Sequence, residues 1–268
     1  MRERIPVVVQ GRRRPRRARG ARALWTGAEL AVTAGAVLLL LVAHQLWWTN
    51  RQARDAARDE VTQLERQWRQ AGAPSPGPAP ARGDRTPAGD RTASGDGGTR
   101  PAPAPGPAAR RAAGAAPGPG LGYAVLRIPR LGVTAPVAEG TGKAAVLDKG
   151  YVGHYRHTAQ PGEAGNAALA GHRNTHGEPF RHLDLLRPGD TVLVDTAAAR
   201  YTYVVRRILP RTTPGDGTVL AAVPHSTVHP AYRFTAPAAY LTLTTCTPAY
   251  TSTYRLVVWG VLRSTQSR

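Results

Sequence analysis

Hydrophobic positions fall into three regimes along this chain. Residues 24–48 are almost continuously apolar, with Glu29 the one acid and a solid stretch over 34–43. About 20 apolar residues cross a bilayer's hydrocarbon core, so 24–48 predicts a transmembrane helix. Trp25, Trp47 and Trp48 at its two ends suit the interfacial belts. Over 49–70 the apolar residues thin to Val61, Leu64 and Trp68 at helical spacing, and Glu65 stands four before Arg69, a favourable pair. That segment predicts a helical juxtamembrane stalk. From Leu121 onward the period shortens to two. Strand signals recur at 123–128, 133–137, 146–152, 166–170, 191–195, 201–209, 240–246 and 255–262. Turn chemistry separates them, as at Pro161-Gly162, Pro188-Gly189-Asp190 and Pro214-Gly215-Asp216-Gly217. Only 179–186 reads as briefly helical. Many short strands with turns between them predict an all-β barrel or sandwich, and 121–268 is long enough for one core.

Between stalk and strands, 71–120 is Pro, Ala, Gly, Ser and scattered charge, with runs such as Pro101-Ala102-Pro103-Ala104-Pro105. Such a segment cannot bury enough apolar surface to offset its chain entropy and predicts a disordered linker. As a flexible coil it would span about 40 Å, and as extended polyproline roughly 150 Å, so it reads as a tether.

Charge changes the picture at the N-terminus. The formal net charge is +19, of which 1–23 carries +8, 24–120 carries +3 and 121–268 carries +8. Arg12, Arg13, Arg14, Arg16, Arg17, Arg19 and Arg22 precede the apolar run, which predicts a cytoplasmic basic tail and an extracellular C-terminal domain. No small-x-small site follows the run, which favours an uncleaved signal-anchor over a cleaved signal peptide. Only Lys143 and Lys149 are lysines. Arg excess with abundant Ala, Gly and Pro reads as GC-rich coding, so no nucleic-acid partner is expected; the tail's partner is the plasma membrane.

The candidate chemistry centres on Cys246, the chain's one cysteine. It closes the alternating run Tyr240-Leu241-Thr242-Leu243-Thr244-Thr245-Cys246, and Thr247-Pro248 stops that strand. A lone exported thiol is either an inert small hydrophobe or a reactive group. The next strand opens with Arg255, which could set a guanidinium beside the thiol. Among the histidines of 121–268 (His154, His157, His172, His176, His182, His225 and His229), His172 stands out because it too follows a buried-looking strand end. Imidazole can take a thiol proton or stabilise the thiolate, and an Arg can hold a carbonyl oxygen gaining charge. His172 and His176 have helical i, i+4 spacing. However, glycines bracket them and Arg173 stands where a zinc motif needs Glu, so no metal and no cofactor is expected.

Thr242-Leu243-Thr244-Thr245-Cys246, with Arg255 nine residues on and Gly171-His172-Arg173 before it, resembles the sortase signature. Within that family the likeness is to class E, the housekeeping type of GC-rich Gram-positive bacteria. Gly153-His154-Tyr155, the run from Gly165 to Arg173, Gly177-Glu178-Pro179-Phe180 and Leu186-Arg187-Pro188-Gly189-Asp190 carry it in order. The resemblance implies a closed eight-stranded β-barrel with Cys246, His172 and Arg255 as catalytic residues facing a groove. It implies a cysteine transpeptidase that cleaves an LAxTG-type sorting signal on secreted proteins between Thr and Gly. The acyl group then passes through a thioester to a peptidoglycan-precursor amine. Tyr155 would recognise the amide of the Ala, and Thr244 and Thr245 would contact substrate. The 210–239 connection and the 247–254 loop would wall the groove. Class E chains often have His after the cysteine and Tyr four after the catalytic His; here Thr247 and His176 stand there. A pilin-polymerising sortase, a cysteine hydrolase and a catalytically silent tethered binding protein are the other readings.

Overall fold

The computed structural model describes residues 16–72, 118 and 120–268. The basic tail lies mostly, and the 71–120 linker almost wholly, outside the described residues. Helix α1 runs Arg16–Gly72. Its first part is the one helix among the described residues long and apolar enough to cross a membrane, with a mean hydropathy of 1.9 over its best window. Leu30, Val32, Leu38, Leu39, Leu40 and Val42 all lie exposed there, which is the surface a lipid-facing helix needs. The chain divides into two compact units, 1–48 and 49–268.

In the second unit eight strands close into one barrel among the described residues. They are β1 (Gly122–Ile128), β2 (Val133–Glu139), β3 (Val152–His154), β4 (Gly165–Ala170), β5 (Thr191–Thr196), β6 (Ala199–Thr212), β7 (Ala239–Thr247) and β8 (Tyr254–Ser267). Their order is β1-β2-β3-β4-β7-β8-β6-β5, and β5 returns to β1. The β2–β3 and β4–β7 pairs are parallel and the rest antiparallel. Alternation along each strand sends every second side chain inward. Leu126, Ile128, Val137, Leu169, Val192, Val194, Tyr203, Leu241, Leu243 and Val258 meet there in one core, joined from the β4–β5 connection by Phe180 and Leu183. Closure gives every strand two neighbours, although β6 beyond Val204 and β8 beyond Val261 pair on one side only.

One strand and one helix expectation need correction. The run 146–152 is a strand only from Val152; Leu147–Lys149 form a 3₁₀ turn ended by Gly150 in the left-handed region at φ 80°. Asp-Lys-Gly is turn chemistry, and it overrides the apolar alternation around it. The briefly helical 179–186 contracts to a 3₁₀ turn over Leu183–Leu185.

The stalk segment is more than a spacer. Ala53, Ala57, Val61 and Leu64, spaced at 4, 4 and 3, are all buried. Val61, Leu64 and Trp68 pack on Val125 of β1, while Ala57 joins Ala138, Val146 and Tyr151. Gly150 is required at this contact, because a Cβ there would stand 2.7 Å from the Ala53 carbonyl oxygen. At the upper end Asn50 and Arg54 both bond the buried Glu178, at 2.7 and 2.9 Å. Arg127 of β1 reaches Glu65, and the Arg268 guanidinium lies 4.9 Å from the Trp68 ring.

Candidate active site

Cys246 lies near the C-terminal end of β7, and Arg255, the second residue of β8, is its direct antiparallel partner. Leu241 and Leu243 point into the core, so alternation sets Thr242, Thr244 and Cys246 on the outer face of the barrel. By the same count Leu256 and Val258 face inward, and Arg255 shares the outer face with the thiol. β4 runs parallel to β7 with Ala170 opposite Thr244. His172, two residues past Ala170, therefore stands level with Cys246. The pairing continues through this segment, since the Gly171 amide donates to the Thr244 carbonyl at 3.2 Å. A side chain at 171 would enter the Phe180 ring, at 2.7 Å, so glycine lets the chain turn tightly toward His172. The register thus places the three expected catalytic residues at the same end of three adjacent strands.

Each is held differently. The Cys246 thiol is half-buried and free. Arg255 Nη1 donates to the carbonyls of Ser252 and Tyr254, at 2.9 and 3.0 Å. Among the described residues its Nε and Nη2 make no hydrogen bond, which leaves a forked donor for an incoming oxygen. His172 Nε2 lies 2.8 Å from Asp148 Oδ1, on the 3₁₀ turn before Gly150. A carboxylate on one ring nitrogen fixes the orientation of the ring. Asp148 had no signal as a site residue in the sequence, because its segment read as a strand. The Asp-Lys-Gly turn was the clue available.

The expected substrate contacts separate. Tyr155, half-buried just after β3, sets its hydroxyl 3.2 Å from Thr244 Oγ1. Thr245 is buried with its hydroxyl donating to the Gly171 carbonyl at 2.8 Å, so it ties β7 to the His172 segment. Arg173 does similar work. Its Nη1 reaches Thr247 Oγ1 at 2.9 Å and the Cys246 carbonyl at 3.4 Å, while Nη2 pairs with Asp184 at 2.9 Å.

The 213–238 connection folds against the outer face of β7 and β8. Leu209, Val219, Val257 and Trp259 form a small second core there, and Trp259 donates to the Val219 carbonyl. Asp216 is the connection's hub. It accepts from Thr212, Thr218 and Ser226 hydroxyls and from Thr227. Burial pushes its carboxyl up, but these hydrogen bonds, led by Ser226, outweigh that and hold it below the usual carboxylate range. His154, by contrast, is fully buried. Its Nδ1 is 2.9 Å from both Glu139 and Tyr123, and its Nε2 is 3.0 Å from Ala159 O and Thr158 Oγ1. That histidine belongs to the core.

A family description of sortase domains matches residues 126–263. Sortase SrtE1 of Streptomyces coelicolor is 39% identical over 87% of this chain, and sortase SrtE2 of the same organism is 32% identical over 96%. The chain spans 55% of the length of SrtE1 and 88% of SrtE2. The crystal structure of sortase E1 from Streptomyces coelicolor, with a tripeptide in its active site, superposes with a TM-score of 0.53 at 47% identity. That match covers 57% of this chain and 94% of the other.

Proposed function

The chain belongs to the sortase family, and we propose that it is a membrane-anchored cysteine transpeptidase that attaches secreted proteins to the cell wall. The observation that carries this reading is the cross-strand pair of Cys246 and Arg255 with His172 level beside them. The substrate is a sorting signal of LAxTG type. The Cys246 thiolate adds to the Thr carbonyl carbon, forming the S–C bond. The Nη2 and Nε fork of Arg255 takes the oxygen as it gains charge. The Thr–Gly C–N bond then breaks, and His172 delivers the proton to the departing Gly amine. An amine of a peptidoglycan precursor attacks the thioester, gives up its proton to His172, and releases the thiolate. Asp148, bonded to His172 Nε2, acts as a positioning residue, keeping the ring turned for both proton transfers.

Specificity for Ala over Pro in the signal falls to Tyr155. Its hydroxyl, already near Thr244, accepts the Ala amide hydrogen that Pro lacks. The α1 span holds the N-terminus in the cytoplasm and the 121–268 domain outside, with the 71–120 linker between stalk and barrel.

The test is cleavage of an LAxTG peptide by the full chain in detergent, with an added amine. We expect cleavage after Thr and an amide product, and none from Cys246→Ala. Tyr155→Phe should lose up to about tenfold in kcat/KM on LAxTG, the worth of one neutral hydrogen bond, and much less on LPxTG. Residual turnover by the Ala variant overturns Cys246 as nucleophile. Equal losses on the two peptides overturn Tyr155 as the specificity residue.

A further inference from the structure

Asp148, His172 and His176 converge from two separate stretches of chain, and only one of the three contacts is a hydrogen bond. Each offers one ligand atom, and those atoms all lie within 4.8 Å of one another. Asp148 Oδ1 is 2.8 Å from His172 Nε2 and 3.7 Å from His176 Nδ1. The imidazole rings face each other at 5.4 Å between centroids, tilted by 32°. The convergence does not come from a helix face. His176 sits in the left-handed region at φ 52°, followed by Gly177 at φ 83°, and this reversal folds its ring back over His172. Asp148 is brought up from the other side by the turn that Gly150 closes.

His176 Nδ1 is the unexplained atom. It is shut off from solvent and has no hydrogen-bond partner, since 3.7 Å to Asp148 is too long for one. A buried polar atom left in this state calls for a group that completes it, such as a bound ion. Two imidazole nitrogens and a carboxylate are the donor set that divalent zinc takes in open sites, with a fourth position left for water or another ligand. Ligands about 2.0–2.1 Å from zinc at tetrahedral angles stand roughly 3.3–3.4 Å apart. The two distances from Asp148 Oδ1 straddle that spacing, and all three ligand atoms lie within 4.8 Å of one another. Access is open: the His172, His176 and Asp148 side chains are 18%, 31% and 34% exposed.

We propose that Asp148, His172 and His176 form a binding site for a divalent transition-metal ion of the zinc type, and that the ion acts as a reversible brake on the enzyme. The binding claim stands on the geometry alone. The brake rests on the reading of His172 as the proton carrier, because a ring nitrogen that ligates zinc holds the imidazole away from acid–base work.

The experiment uses the full chain in detergent, carrying Cys246→Ala so that the thiol is not a ligand. Zinc is titrated by competition with a chromophoric chelator. We expect one equivalent to bind, with affinity at least tenfold weaker in His176→Asn and in Asp148→Asn. Asn is chosen at 176 because it tolerates a positive φ. Equal affinity in the parent and both variants overturns the site, as does weak binding spread over exposed histidines such as His157, His182 and His229. In the Cys246 enzyme, zinc should suppress peptide cleavage and a chelator should restore it. For His176→Asn the ratio of rates with and without zinc should return toward one; a ratio as low as the parent's overturns the brake. Metal binding without any peptide cleavage by the metal-free parent sinks the transpeptidase reading and leaves the site. Cleavage with binding indifferent to 148 and 176 sinks the site and leaves the transpeptidase.

Discussion

Arg255 shows how much a single residue's shape matters at this site. Its Nη1 is spent on two loop carbonyls, so the guanidinium is fixed and its remaining donors are aimed without further ordering. Lysine keeps the charge but has neither the fork nor the anchoring contacts. Arg255→Lys should therefore lower kcat by about 10²–10³, the cost of one lost oxyanion donor. A rate near that of the parent would assign Arg255 to structure alone. Alternation and chain stops placed Cys246, His172 and Arg255 at strand ends, but it was the sortase resemblance, not the period, that singled them out as the proposed site. Asp148 and Arg173 were not legible as site residues. Their work depends on a turn and on a long reach between loops, and no local period announces either.

At the scale of elements, α1 from Thr49 onward belongs to the same compact unit as the barrel. The spacing of Val61, Leu64 and Trp68 was visible as an apolar stripe, but a stripe does not say what covers it. Here Val125 of β1 covers it, while Ala138 of β2 and the 146–151 segment cover Ala57 one turn earlier. Fully burying a Val or Leu contributes about 1.5–3 kcal/mol, and the Glu178 contacts to Asn50 and Arg54 add charge-assisted bonds. Burial raises the Glu178 carboxyl, but hydrogen bonds from Arg181 and Asn50 and the charges of Arg181 and Arg54 hold it below its usual value. Val61→Asp sets an unpaired charge in this contact. It should speed amide exchange across residues 49–70 of the full chain while leaving exchange in β7 and β8 unchanged. Uniform exchange in variant and parent would mean that the helix is not held by this stripe. The 146–152 segment teaches the converse lesson: its apolar residues suggested a strand, and one Asp-Lys-Gly turn decided otherwise.

For the whole molecule, barrel closure meets a single buried carboxylate. Asp195 of β5, fully buried, pairs with Arg127 of β1, Arg200 of β6 and Arg268 beyond β8. Burial raises its carboxyl, yet hydrogen bonds from Arg200 and Arg127 and the charges of Arg200 and Arg268 hold it below the ordinary range. A carboxylate depressed on folding lends stability that is fully present above its unfolded value, about 3.9, and is lost as pH falls through the folded value. Thermal midpoints by circular dichroism should thus fall in acid below about pH 4. Asp195→Asn should cost about 1.5–3 kcal/mol at neutral pH and show a shallower acid limb. An acid limb equally steep in the variant would move the acid sensitivity elsewhere. An all-β barrel or sandwich was legible from strand count and turns, and the choice of a closed barrel came from the family resemblance. Closure was not, because β5 meeting β1 joins residues some seventy apart whose pairing no local pattern encodes.

A covalent acyl-enzyme at Cys246 is the central step of the proposed reaction. The direct measurement is intact and peptide mass spectrometry of the full chain after brief exposure to an LAxTG peptide without added amine. The account predicts a mass gain equal to the acyl portion ending in Thr, mapped to the Cys246 peptide and discharged by an amine. Cleavage of the peptide with no adduct in the Cys246 parent, or an adduct that persists in Cys246→Ala, would contradict it.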